Sequence, residues 1–378
     1  MKTNPLKQLA TLGQSVWLDY IRRDLIAGGG LRCLIEDDEL RGMTSNPAIF
    51  EKAIAESHEY DEDIQAMVRE KKDAKAIYEA LSQRDVQSAA DEFRPVYERT
   101  DGKDGYVSLE VNPHLAHDTK GTIQEARRLW SALNRSNVLI KVPATVEGLH
   151  AIQQLTSEGI NVNVTLLFGL PRYRQVVEAY LAGIEARLGQ GKSVKQVASV
   201  ASFFLSRIDV LVDPLLEKLI TQSGKEAGRA KKAHGQIAVA SAKMAYQIYK
   251  ETFGSDRFKR LATQGARDQR VLWASTGTKN PDYSDVKYIE AVIGPDTINT
   301  IPFETLDAFR DHGVPSASLE QDVRKAAVIL ERLPELGINI DTITRQLEDE
   351  GVEKFNKPFD KLMGTLTQRS KQHMKKES

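Results

Sequence analysis

Lys141 stands inside Asn137-Val-Leu-Ile-Lys-Val-Pro-Ala-Thr145, a run that otherwise reads as a buried strand. Val138, Leu139 and Ile140 before it and Val142 after it make the near-continuous aliphatic pattern of a parallel strand covered on both faces. Pro143 cannot extend the hydrogen-bond ladder. The lysine therefore falls near the carboxyl end of the strand, where α/β folds assemble their sites. Desolvation there lowers a lysine pKa by up to roughly 3–5 units, and the free amine is a nucleophile toward a carbonyl carbon. A salt-bridged or snorkelling lysine would fit the same stretch.

Other strand ends also carry polar groups. Asp19 closes Ser15-Val-Trp-Leu-Asp19 and Glu110 closes Tyr106-Val-Ser-Leu-Glu110, which puts a carboxylate at each strand end, although on this stretch alone a solvated acid in the first turn of the next helix is the favoured reading of Asp19. Arg41-Gly-Met-Thr-Ser-Asn-Pro47 reads as a brief strand running into a helix capped near Asn46 with Pro47 at the first helical position, which turns Thr44 and Asn46 toward the strand end. Residues 160–168 alternate as a strand with Asn161, Asn163 and Thr165 on one face; flanking helices disfavour a solvent-facing edge strand. Residues 197–205 form another buried strand carrying Ser202. Arg207 just beyond it is either an anion clamp or a surface arginine. After the strand Arg270-Val-Leu-Trp-Ala-Ser-Thr276, Lys279 in a Gly-containing loop could meet phosphate. His114 and His117, three apart beside a helix N-cap at Asp118 or Thr119, lack a third His or Cys and do not read as a metal site.

Along the chain, strand ends fall at Asp19, Thr44, Glu110, Lys141, Thr165, Ser202 to Arg207, Ser275 and Thr300, separated mostly by helices. That order predicts an α/β fold, a (β/α)8 TIM barrel forming one domain over residues 1–378. Helices are expected at 6–11, 20–26, 119–133, 145–157, 171–188, 213–253 and 285–293, and from 302. A helical insertion covers about 51–105 and C-terminal helices about 319–366. Gly28-Gly-Gly30 reads as a flexible connection, since it lacks the spacing of a phosphate loop, and residues 368–378 as a polar, basic, frayed tail.

The 378 residues carry 28% charged and 41% hydrophobic side chains with a net charge of −1, which offers no electrostatic argument for a nucleic-acid or anionic-membrane partner. The lone Cys33 allows no internal disulfide and excludes a Cys-based metal site. With neither an apolar signal core at the N-terminus nor an apolar run of membrane-spanning length, a cytoplasmic location is expected. A monomer and a homodimer stay equally open.

Five motifs, Thr44-Ser-Asn-Pro47, Ser108-Leu-Glu-Val111, Ile140-Lys-Val-Pro-Ala144, Asn163-Val-Thr-Leu-Leu-Phe168 and Ala201-Ser-Phe-Phe-Leu-Ser-Arg207, together resemble the transaldolase family in order and spacing, and the likeness runs from about Val16 to Phe309. The resemblance implies a class I aldol mechanism in a (β/α)8 barrel, with phosphorylated sugars as substrates and no metal or organic cofactor. By it, Lys141 forms the Schiff base. Glu110 works through an ordered water that Thr165 helps to hold, and Asp19 exchanges the C4 hydroxyl proton. Asn46 and Asn163 bind substrate hydroxyls with support from Thr44. Ser202 and Arg207 meet the phosphate.

In two respects the chain departs from the best-known members. Their seventh strand carries an arginine soon after an Ala-Ser pair, where Lys279 stands here as a point-charge replacement. Trp17-Leu-Asp-Tyr20 and the long insertion after Asn46 differ from shorter members and resemble a longer bacterial group. The implied reaction moves a dihydroxyacetone unit from sedoheptulose 7-phosphate to glyceraldehyde 3-phosphate, in the pentose phosphate pathway. A fructose 6-phosphate aldolase is the alternative, disfavoured by chain length and by Glu110 where those enzymes usually carry glutamine. A non-catalytic sugar-phosphate barrel would be expected to have lost Lys141, Glu110 or Asp19.

Overall fold

Strands buried on both faces have no reason to alternate, and here they close into a cylinder. The computed structural model describes residues 4–222 and 224–376. Among them β1 (Gln14–Asp19), β2 (Gly42–Thr44), β3 (Tyr106–Glu110), β4 (Val138–Pro143), β5 (Val162–Leu167), β6 (Ser199–Phe204), β7 (Arg270–Ala274) and β8 (Thr297–Ile301) pair in parallel in sequence order, and β8 returns to β1. Every residue of these strands is buried except Asp19, which is partly open at the carboxyl end of β1. The expected (β/α)8 barrel is thus observed.

Polar groups seal the amino end of the cylinder. Arg270 is 2.9 Å from Asp104, and Asp104 also accepts from Ser15 Oγ at 2.8 Å and from Trp17 Nε1 at 3.3 Å. Trp17 fills the space beside β2; a Cβ at Gly42 would lie 2.5 Å from its ring, so only glycine fits there. Asn161, expected to share a face with Asn163 and Thr165, instead cross-links strand starts: its amide donates to Ser136 O and Val138 O and accepts from the Ala198 N–H. Its polarity is spent on loose backbone groups.

At the other end, β5 shifts register between Val164 and Leu167, and Leu166 takes φ +56°, a costly backbone for a bulky residue. A Cβ at Gly351, in the long C-terminal helix Ile340–Lys376, would come 3.0 Å from Leu166 Cδ2. That helix therefore lies against the end of β5.

The helices depart from expectation in several places. Gly28-Gly-Gly30 is not a flexible connection: Gly29 takes φ +79° and Gly30 opens the helix Gly30–Asp37, which buries Leu31, Leu34 and Ile35. The stretch expected as one helical region over 213–253 divides into Ser206–Thr221, Ala227–Ala233 and Ile237–Phe253, and a further helix, Asp256–Thr263, follows. The first of the C-terminal helices expected from about 319 begins only at Val323 and covers Val323–Glu331. The tail does not fray at 368: the helix continues to Lys376, and Arg369 pairs with Asp61 at 2.9 Å while donating to Ala55 O at 3.1 Å. Glu377 and Ser378, the last two residues of the expected frayed tail, lie outside the described residues. The insertion between β2 and β3 holds Pro47–Ala55, Asp61–Arg69, Ala74–Glu92 and Arg94–Arg99. Among the described residues no helix is long and apolar enough to cross a membrane.

Candidate active site

Strand register brings the polar strand ends together. Asp19 pairs with Thr44 across β1 and β2, Glu110 with Lys141 across β3 and β4, Lys141 with Asn163 and Pro143 with Thr165 across β4 and β5. Lys141 is 4% exposed, and its Nζ donates to Ser45 O at 3.0 Å. Asp19 Oδ1 accepts from Thr44 Oγ1 at 2.7 Å, and Thr44 Oγ1 is in turn 2.7 Å from Thr300 Oγ1. Asn163 is gripped from both sides: Nδ2 donates to Ser108 Oγ at 3.0 Å and Oδ1 accepts from Ser202 Oγ at 2.7 Å. Such a grip fixes the amide orientation and still leaves one N–H and one lone pair for a ligand. Asn46 caps the Pro47–Ala55 helix, accepting from the Ile49 N–H at 3.1 Å, so its Nδ2 remains the group for a ligand.

Three atoms here are buried without a hydrogen-bond partner among the described residues: Glu110 Oε2, Thr165 Oγ1 and Arg207 Nη1. Unpaired buried polar atoms are costly and mark places where water or ligand is expected. Burial pushes the Glu110 carboxyl up to about 8; Lys141 opposes the shift and Asp19 adds to it. Burial thus favours the protonated form of Glu110, which suits it to act as an acid. Burial also raises Asp19, opposed by Lys141, by the Thr44 hydrogen bond, and by Arg207 and Lys279. Arg207 sits in the first turn of Ser206–Thr221 over the Phe204 ring, 5.5 Å from its centroid. Burial lowers its pKa, while Asp19 and Glu350 raise it. Lys279 is exposed in the loop after β7, with its charge within reach of Asp19.

Raising the Glu110 pKa on folding ties stability to pH. The contribution is fully present below the ordinary carboxylate value, falls as pH rises, and is gone above about 8. Melting temperatures of the wild type and Glu110→Gln, compared from about pH 5 to about pH 9, are expected to show the wild type losing ground steadily. A constant difference would mean that Glu110 is not held protonated.

Among the named residues, the structure brings Asp19, Thr44, Glu110, Lys141, Asn163, Thr165, Ser202 and Arg207 to one end of the barrel, with Asn46 and Lys279 on the loops above it. The sequence assigns no site role to Ser45, whose carbonyl holds Lys141, to Ser108, which shares the inward parity of Glu110, or to Thr300, expected only as a strand end. Period-2 counting back from Glu110 would have found Ser108. Tyr78, on the insertion, was also missed: burial and then the Glu110 charge push its hydroxyl up. His114 and His117 stand in separate pairs, 2.7 Å from Asp360 and 3.2 Å from Glu147.

The model of the transaldolase/fructose-6-phosphate aldolase family matches residues 16–366. The chain belongs to that family. A transaldolase of Trichodesmium erythraeum (strain IMS101) is 47% identical over 375 residues, covering 98% of this chain and 99% of its own. A transaldolase of Thiobacillus denitrificans is 47% identical over 363 residues, covering 96% and 99%. A transaldolase of Thermobifida fusca is 43% identical over 371 residues, covering 98% and 99%. The insertion and the C-terminal helix therefore lie within the length shared with these transaldolases.

Proposed function

We propose that this chain is a transaldolase of the cytoplasm. It transfers a dihydroxyacetone unit from sedoheptulose 7-phosphate to glyceraldehyde 3-phosphate, giving erythrose 4-phosphate and fructose 6-phosphate. The observation that carries this reading is the buried Lys141 amine, flanked at the barrel end by two acids whose pKa values both lie above the ordinary range. One amine and two acids are what a covalent aldol transfer needs.

The positions of these groups support the following sequence of steps. The Lys141 amine attacks the ketose C2 carbonyl. Protonated Glu110 gives its proton to the departing hydroxyl through a water held at Thr165 Oγ1, and the water that leaves completes an iminium ion. Asp19 takes the C4 hydroxyl proton, the C3–C4 bond breaks, and the electron pair flows into the iminium while the aldehyde departs. The three-carbon enamine stays on Lys141 until a second aldehyde accepts it, with Asp19 returning the proton. Water then attacks the new iminium, giving its proton back to Glu110, and the collapse of the adduct frees the lysine. Asn46 and Asn163 hold the sugar hydroxyls, and Thr44 steadies Asp19. Ser202 fixes Asn163 and faces the phosphate side with Arg207 and Lys279.

Supplying sedoheptulose 7-phosphate and glyceraldehyde 3-phosphate and following erythrose 4-phosphate tests the reading directly. Release of free dihydroxyacetone in place of transfer would make the chain an aldolase. Arg207→Ala is expected to raise KM for phosphorylated donors by about 10- to 100-fold, from a charge-assisted contact of roughly 1.5–3 kcal/mol, with a smaller effect on kcat. An unchanged KM would remove Arg207 from the substrate site.

A further inference from the structure

The steps above leave unused a set of buried polar groups behind the barrel mouth. The Ser206–Thr221 helix carries Arg207 in its first turn and then Asp209 and Asp213, which are 2% and 4% exposed. Carboxylates buried so deeply need partners. Asp213 Oδ1 accepts from the Gly235 N–H and Asp209 Oδ1 from the Ala238 N–H, each at 2.8 Å. Their other oxygens are claimed by the segment that follows β7. Tyr283 donates to Asp213 Oδ2 at 2.7 Å and Tyr288 to Asp209 Oδ2 at 2.8 Å. Lys287 Nζ stands 3.6 Å from Asp209 Oδ2 and 3.3 Å from the Tyr283 ring centroid.

The same segment is tied at its start. The Ser206 N–H donates to Ser275 O at 3.0 Å, and the two hydroxyls are 2.9 Å apart. Between these ties it folds on itself: Thr278 Oγ1 donates to Ser284 O at 2.8 Å and the Asp282 N–H to Asn280 Oδ1 at 2.9 Å. Residues 275–290, which include Lys279, are therefore pinned at both ends to the one helix that presents Arg207.

We infer that Asp209 and Asp213 are positioning residues, which lock the Lys279 segment onto the Arg207 helix so that both cations meet one phosphate group at a fixed separation. The inference rests on the proposal that Arg207 and Lys279 bind the substrate phosphate. A lysine binds phosphate as a point charge on a flexible stem, without the bidentate geometry of arginine, so its contribution depends on where its loop is held. Ordering that loop before binding removes an entropic cost that substrate would otherwise bear.

Tyr283→Phe tests this with little disturbance, because it removes the hydroxyl while leaving the ring under Lys287. The measurements are KM and kcat for fructose 6-phosphate with erythrose 4-phosphate as acceptor, and Ki for inorganic phosphate, in Tyr283→Phe, Asp213→Asn, Lys279→Ala and the Tyr283→Phe/Lys279→Ala double variant. Tyr283→Phe is expected to raise KM and Ki together by about 3- to 10-fold with kcat within about 2-fold, and to add nothing once Lys279 is gone. Effects that multiply in the double variant overturn the inference, since the tyrosine would then act independently of Lys279. A raised KM in Arg207→Ala and Lys279→Ala, with an unchanged KM in Tyr283→Phe and Asp213→Asn, overturns the inference alone. An unchanged KM in Arg207→Ala and Lys279→Ala overturns the phosphate assignment, and the inference with it.

Discussion

Lys141→Met is expected to lower turnover by at least about 10⁴-fold, since it removes the only group in the scheme that bonds covalently to the sugar. Methionine keeps the apolar stem that packs in the barrel and drops the charge, so the fold should survive. Two neighbours report on that charge. Lys141 opposes the upward shifts of both Glu110 and Asp19, so both acids should hold their protons to higher pH in the variant. Activity assays with a melting curve check the prediction: a folded variant retaining turnover within about 10-fold of wild type would move the covalent chemistry off Lys141.

Asp19→Asn should stop the reaction at a different point. The amide oxygen can still accept the hydrogen bond that Thr44 Oγ1 gives at 2.7 Å, so the side chain keeps its place. It cannot accept the C4 hydroxyl proton. Loss of a general base typically costs roughly 10²–10⁴ in rate, so imine formation should proceed while C–C cleavage falls by about that factor. Reduced with borohydride in the presence of fructose 6-phosphate, this variant should carry the whole six-carbon sugar, whereas the wild type carries mainly the three-carbon fragment. Trapping of the three-carbon fragment at the wild-type rate would leave Asp19 as a strand-end acid without a part in cleavage.

Much of this site is legible along the chain because its parts are local. Val138 to Val142 with Pro143 announces a buried strand and its end, Asn46-Pro47 announces a cap, and the helix Thr119–Leu133 has the limits expected from its periodicity. What stayed hidden depends on register or on distant partners. Nothing local shows that Ser45 O would meet Lys141, since that contact joins residues 96 apart. The basic tail reads as frayed because its partner, Asp61, lies 308 residues away. Three consecutive glycines argue for a flexible link, yet the burial of Leu31, Leu34 and Ile35 in the core outweighs the entropic penalty of Gly30. Nothing local marks the carboxylates of Asp209 and Asp213 for burial, since the tyrosines that cover them come from another segment.

Everything in the proposed cycle depends on Lys141 becoming covalently joined to the sugar. Incubating the wild type with fructose 6-phosphate and borohydride, digesting it and sequencing the labelled peptide by mass spectrometry reads that bond itself. One reduced three-carbon adduct is expected, on the Lys141 peptide, formed in step with loss of activity. An adduct on a different lysine, or complete retention of activity after reduction in the presence of substrate, would contradict the covalent role of Lys141.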